Sequence, residues 1–154
     1  MKSVIFILVV LFFVITPVSG QSLSDATGLI DRLDVQTSGY AFEIKLTSNF
    51  DLTDYTFDKN EKQITLYFDS ALENNLAEII IPKDLLSGNF MFYLNDQEFL
   101  PRVESNEKIS FITLNFTGSG NNVVKIIGSE YLVGLDPIVS NYTLPLDSES
   151  IFDD

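Results

Sequence analysis

The chain has 154 residues, 22 of them Asp or Glu and 9 Lys or Arg, and its formal charge of −13 argues against nucleic acid or anionic lipid surfaces as partners. It contains no Cys, His or Trp, which excludes disulfide staples, a lipid-attachment cysteine, thiolate chemistry and any use of imidazole as base, shuttle or metal ligand. Whatever core it has is held by packing alone.

Residues 1 to 20 have the layout of a secretory signal peptide. Lys2 precedes an apolar run from Val4 to Ile15, and Thr16-Pro17-Val18-Ser19-Gly20 supplies a helix breaker and small residues for cleavage. The run is shorter than the ~20 residues that span a bilayer. The expected cut is Gly20/Gln21, which leaves 134 residues carrying 8 Lys or Arg against 22 Asp or Glu. The mature chain is therefore expected to be secreted or held at the cell surface, with no membrane contact after cleavage.

Residues 21 to 38 read as a polar N-terminal segment. Ser24 or Asp25 would cap a short helix carrying Leu29, Ile30 and Leu33. From Tyr40 the period changes to two: Tyr40, Phe42, Ile44 and Leu46 alternate with Ala41, Glu43 and Lys45, as in a strand with one buried face. Leu52 to Phe57 and Ile64 to Phe68 flank Asp58-Lys59-Asn60-Glu61 and predict a hairpin. Leu76 to Ile81 predicts another strand, ended by Pro82, and Lys83 to Leu86 one helical turn closed by Gly88. Phe90 to Leu94 is apolar on both faces, which predicts a central, doubly covered strand.

Asn95-Asp96 suits the positive φ of a tight hairpin. Phe99 to Val103 would return beside the preceding strand, with an edge or bulge at Pro101. Ile109 to Phe116 and Val123 to Ile127 predict the last strong strands, joined by Gly118 to Asn122 as a flexible hairpin loop. Short strands with turn signals about every ten residues predict an all-β fold, an antiparallel immunoglobulin-like β-sandwich of seven to eight strands over residues 39 to 134. Residues 135 to 154 read as an acidic, partly disordered tail.

Ile79-Ile80-Ile81-Pro82-Lys83-Asp84-Leu85-Leu86, Phe92-Tyr93-Leu94-Asn95-Asp96 and Val124-Lys125-Ile126-Ile127-Gly128 carry a likeness to a known group. Over Tyr40 to Gly128 the chain resembles the small exported β-sandwich domains of ammonia-oxidising archaea. In those relatives the middle stretch tends to run into Asp-Gly, and several end in a Pro-Glu-Phe sorting tail or a membrane helix, features not seen in residues 1 to 154. The resemblance implies an exported sandwich and brings no catalytic residues.

Two triplets, Asn115-Phe116-Thr117 and Asn141-Tyr142-Thr143, fit the N-glycosylation acceptor pattern. Asn115 alternates with Ile112, Leu114 and Phe116 and so falls on the opposite strand face, while Asn141 sits near prolines in an expected loop. Asp51, Asp54 and Asp58, with Asn60 and Glu61, offer hard oxygens for a weak calcium site, although their spacing is not that of an EF-hand and such residues also build ordinary turns. No other cofactor is expected. A paired-carboxylate glycosidase needs no His, and Asp96 with Glu98 could flank a sugar, but the lack of Trp leaves only Tyr and Phe for stacking. The expectation is a non-enzymatic module that binds or assembles cell-surface or extracellular proteins or glycans through strand edges, end loops such as Gly118 to Asn122, or exposed aromatics such as Tyr67, Tyr93 and Phe111. The alternative is a calcium-assisted glycan binder or a carboxylate-based carbohydrate-active enzyme.

Overall fold

A computed structural model describes residues 28 to 136. The signal peptide, the Ser24 or Asp25 helix start, Asn141 and nearly all of the acidic tail lie outside the described residues. Two five-stranded antiparallel sheets face each other. Sheet A has the order β1 (Leu29–Thr37), β2 (Tyr40–Ser48), β5 (Asn74–Pro82), β9 (Ile109–Thr117) and β8 (Arg102–Ser105). Sheet B has the order β3 (Asp51–Asp58), β4 (Gln63–Ser70), β10 (Gly120–Tyr131), β6 (Leu86–Leu94) and β7 (Gln97–Glu98).

The alternation read from the sequence sets which side chains enter the core. Leu33 and Val35 from β1, Ile44 and Leu46 from β2, Ile79 and Ile81 from β5 and Ile112 and Leu114 from β9 meet Ile64, Leu66 and Phe68 from β4 and Val124 and Ile126 from β10. All of these are buried. At one end Phe50 stacks on Phe68 with centroids 4.3 Å apart, and Phe116 tilts against both, so the sandwich is closed there by aromatic packing.

Several expectations are corrected. Among the described residues there are ten strands rather than seven or eight, and the sandwich begins before residue 39, because Leu29 to Thr37 forms β1 and not part of a helix. Register explains this: all nine residues of β1 pair with β2 across the Ser38-Gly39 turn, whose φ values of 50° and 87° suit a two-residue hairpin. Lys83 to Leu85 is a turn, with Leu85 N–H donating to the Pro82 carbonyl, and Leu86 already belongs to β6. Strand β6 is not central. Its outer neighbour β7 has only two residues, and Met91 is 53% exposed. Asn95-Asp96 does form the tight turn, at φ 51° and 64°, but the chain then leaves for the other sheet at Pro101. Strands β9 and β10 are not a hairpin: β9 pairs with β5 and β8, and β10 with β4 and β6.

Candidate functional site

Position along β3 decides the calcium question. Asp51 and Asp58 stand at its two ends, about 23 Å apart at ~3.3 Å per residue, so they cannot ligate one ion together with Asp54. Two of them already serve the backbone. Asp54 Oδ1 accepts the Tyr55 N–H at 2.8 Å, and Asp58 Oδ1 accepts the N–H groups of Asn60 and Glu61 at 2.8 and 3.2 Å. Among the described residues no group of three or more carboxylates is placed to hold a metal ion. The three carboxylates therefore do not come together as one site, and Asp58 instead builds the turn after β3. Asp51 instead faces Asp69 across the ladder and lies near Asp31. Burial, followed by the Asp51 charge, pushes the Asp31 carboxyl above its ordinary value.

Asp96 and Glu98 do not enclose a cleft. Asp96 sits in the β6–β7 turn and pairs with Lys125 Nζ at 2.5 Å, while Glu98 is exposed on β7 beside Tyr93. The hydrogen bond to Asp96, and then its charge, raise the Lys125 pKa. Three of the grooves that open among the described residues are lined as follows. One of about 440 Å³ is lined by Gln36, Thr37, Thr56, Phe57, Asp58 and Lys59, and the other two take Glu104 and Glu107 from the β8–β9 region. The first brings Asp58, and the other two share Asn106.

The strand edges are guarded against pairing with another chain. On β1 the Tyr55 hydroxyl occupies the free edge at Asp34. A bulge between Leu52 and Asp54 interrupts β3, where Thr53 Oγ1 donates to the Tyr67 carbonyl at 3.0 Å. Strand β8 is four exposed residues with an Arg102–Glu104 ion pair, and β7 is two residues followed closely by Pro101.

The end loop from Gly118 to Asn122 is also tied down. Asn75 Nδ2 donates to the Gly118 carbonyl at 2.7 Å, Asn122 Nδ2 to that of Gly120 at 2.9 Å, and Asn95 Nδ2 to Asn122 Oδ1 at 2.8 Å. Asn75 is 1% exposed and Asn122 6%. What was expected to be a flexible hairpin is a braced corner between the sheets.

The outward face of sheet B carries an apolar surface. Register aligns Asp54, Tyr67 and Val123 in one row, Thr56, Thr65, Lys125, Tyr93 and Glu98 in the next, and Asp58, Gln63, Ile127 and Met91 in a third. Adjacent strands are about 4.8 Å apart, so Tyr67, Val123, Tyr93, Ile127 and Met91 form one patch around Lys125. Thr65 lies so deep between these side chains that it is 4% exposed, and it accepts a hydrogen bond from Gln63 Nε2 at 2.9 Å. Sequence reading singled out Tyr67 and Tyr93. It missed Val123, Ile127 and Met91, whose outward direction is set by pairing across three strands. Phe111, named with the tyrosines, belongs to the opposite surface: it pairs with Ile80 on the outward face of sheet A, among Lys45, Glu78, Thr113 and the Arg32–Glu43 pair.

Asn115 is exposed on the outward side of β9, as the alternation predicts. Comparison with family models, with curated proteins and with solved structures finds no match to this chain.

Proposed function

We propose that the chain is an exported, non-enzymatic, immunoglobulin-like β-sandwich module that binds or assembles cell-surface or extracellular components. The observation that carries this reading is the outward face of sheet B, where Tyr67, Tyr93, Val123, Ile127 and Met91 make a patch on a sheet whose other face is already the core. Solvent-facing strand positions otherwise favour polar residues, and an apolar patch ringed by Asp54, Asp58, Asp96 and Glu98 has the layout of a contact surface with a polar rim. The guarded edges favour a face over an edge as the point of contact. Asp96 is held by Lys125 and Glu98 stands exposed on β7, so that pair gives no support to the paired-carboxylate alternative.

The test is site-specific photo-crosslinking in the exporting cell. A crosslinker at Tyr93 is expected to give discrete adducts that one at Thr113, on sheet A, does not. Equal labelling from both faces, or none from Tyr93, overturns the reading.

A further inference from the structure

Five of the described asparagines have visible structural work. Asn49, Asn75, Asn95, Asn106 and Asn122 each hydrogen-bond backbone groups at a turn or corner. Asn115 takes no part in these bonds. It stands exposed within the nine-residue strand β9, a setting that disfavours Asn and offers no turn for it to build. Thr117 is exposed two residues on and therefore shares its face, while Phe116 between them is buried and holds the strand to the core. Strand β5 pairs with Asn115 through Leu76, but β8 begins at Arg102 opposite Thr113, so among the described residues Asn115 to Thr117 have no paired strand on their other flank. An acceptor amide, its hydroxyl partner and a flank unpaired among the described residues thus coincide; Asn89 and Asn121 are also exposed within strands, but neither has a Ser or Thr two residues on.

We propose that Asn115 is an N-glycosylation site, its donor a lipid-carried, phosphate-activated oligosaccharide. In the transfer, which a membrane-bound transferase of the host performs, the Asn115 amide nitrogen attacks the anomeric carbon. The new N–C bond replaces the C–O bond to phosphate, a proton leaves the nitrogen, and the lipid phosphate departs. The glycan then covers the outward face of sheet A near Leu76, Ile80 and Phe111 and leaves sheet B free for contact. This inference rests on the exported reading.

The test expresses the full chain, with one sequon appended at its C terminus as an export control, in a host that N-glycosylates. One sample keeps the native leader and a second carries the leader of a secreted protein, and peptide mass spectrometry reads Asn115, Asn141 and the appended sequon separately. The expected result is a glycan mass on the Asn115 peptide, abolished by Asn115→Gln and Thr117→Ala and kept in Thr117→Ser. A bare Asn115 beside a modified control sequon overturns the proposal. Modification of the control only behind the borrowed leader overturns export instead, and Asn115 is then judged in that second sample.

Discussion

The hydroxyl of Tyr55, on the edge strand of sheet B, closes the edge of sheet A at Asp34: it accepts the Asp34 N–H at 3.1 Å and donates to the Asp34 carbonyl at 3.0 Å. A single side chain thereby satisfies both backbone groups that an added strand would use. Tyr55→Phe keeps the ring that packs on the core and removes only the hydroxyl. The expected cost is about 1 to 2 kcal/mol for two hydrogen bonds, with faster amide exchange at Asp34. Unchanged exchange at Asp34 would show that the edge is protected by something else.

How far such features were legible in the sequence depends on what periodicity encodes. A two-residue repeat tells which side of a strand is apolar, so Ile44 and Leu46 were placed correctly, and Asn95-Asp96 announced its turn through residues that tolerate positive φ. It does not tell which strand is the neighbour. Strands β9 and β10 looked like a hairpin because a Gly-rich link joins them, yet the buried amides of Asn75 and Asn122 hold that link across two sheets. Strand β1 was misread because Leu29, Ile30 and Leu33 also fit a helical spacing; the pairing partner resolved it. Strand β6 shows a third limit. Apolar residues on both faces mean either a covered strand or one with an apolar face turned to solvent, and Met91 and Tyr93 are of the second kind.

The corner itself can be probed through Asn75. Its Nδ2 reaches the Gly118 carbonyl and its Oδ1 meets the Ser70 hydroxyl, all in a buried setting. Asn75→Leu leaves both partners without it and is expected to destabilise the fold by about 1 to 3 kcal/mol, measured by denaturant unfolding. Amide exchange over Gly118 to Asn122 should rise as well. A flexible loop would show fast exchange there in the unmodified protein and no further gain.

Asp31 makes a prediction with a definite sign. Burial and the Asp51 charge raise its folded-state pKa above the ordinary 3.8, so the native state holds the proton over a pH window where the unfolded chain has released it. Stability contributed by this group therefore falls as pH rises through that window, and the ionised form is a net cost at neutral pH. Asp31→Asn is expected to raise Tm at pH 7, and the gain should shrink as pH drops below 3.8. A gain that does not change between pH 7 and pH 3 would assign the effect to something other than charge.

Calcium is expected to act only as salt. Because Asp51, Asp54 and Asp58 are strung along one strand, titrating the ion should shift Tm no more than magnesium does, with or without chelator. A saturable rise that disappears in Asp54→Asn with Asp58→Asn would restore the site.

Gly128 shapes the geometry of sheet B where β10 meets β6. Gly128 pairs with Phe90, and the register between β10 and β6 shifts just after it, between Gly128 and Glu130. At this bulge Leu86 crosses so close that a Cβ on residue 128 would stand 2.6 Å from its Cγ, 2.7 Å from its Cδ1 and 3.0 Å from the Ser87 carbonyl. Leu86 is fully buried and cannot swing away. Gly128→Ala is therefore expected to destabilise the fold by about 1 to 3 kcal/mol through overpacking. The displaced β6 carries Met91 and Tyr93, so the variant should also lose crosslinking from Tyr93 in the fraction that remains folded. If stability falls while Tyr93 adducts persist, the strain at Gly128 does not reach Tyr93 and the overpacking is absorbed around Leu86.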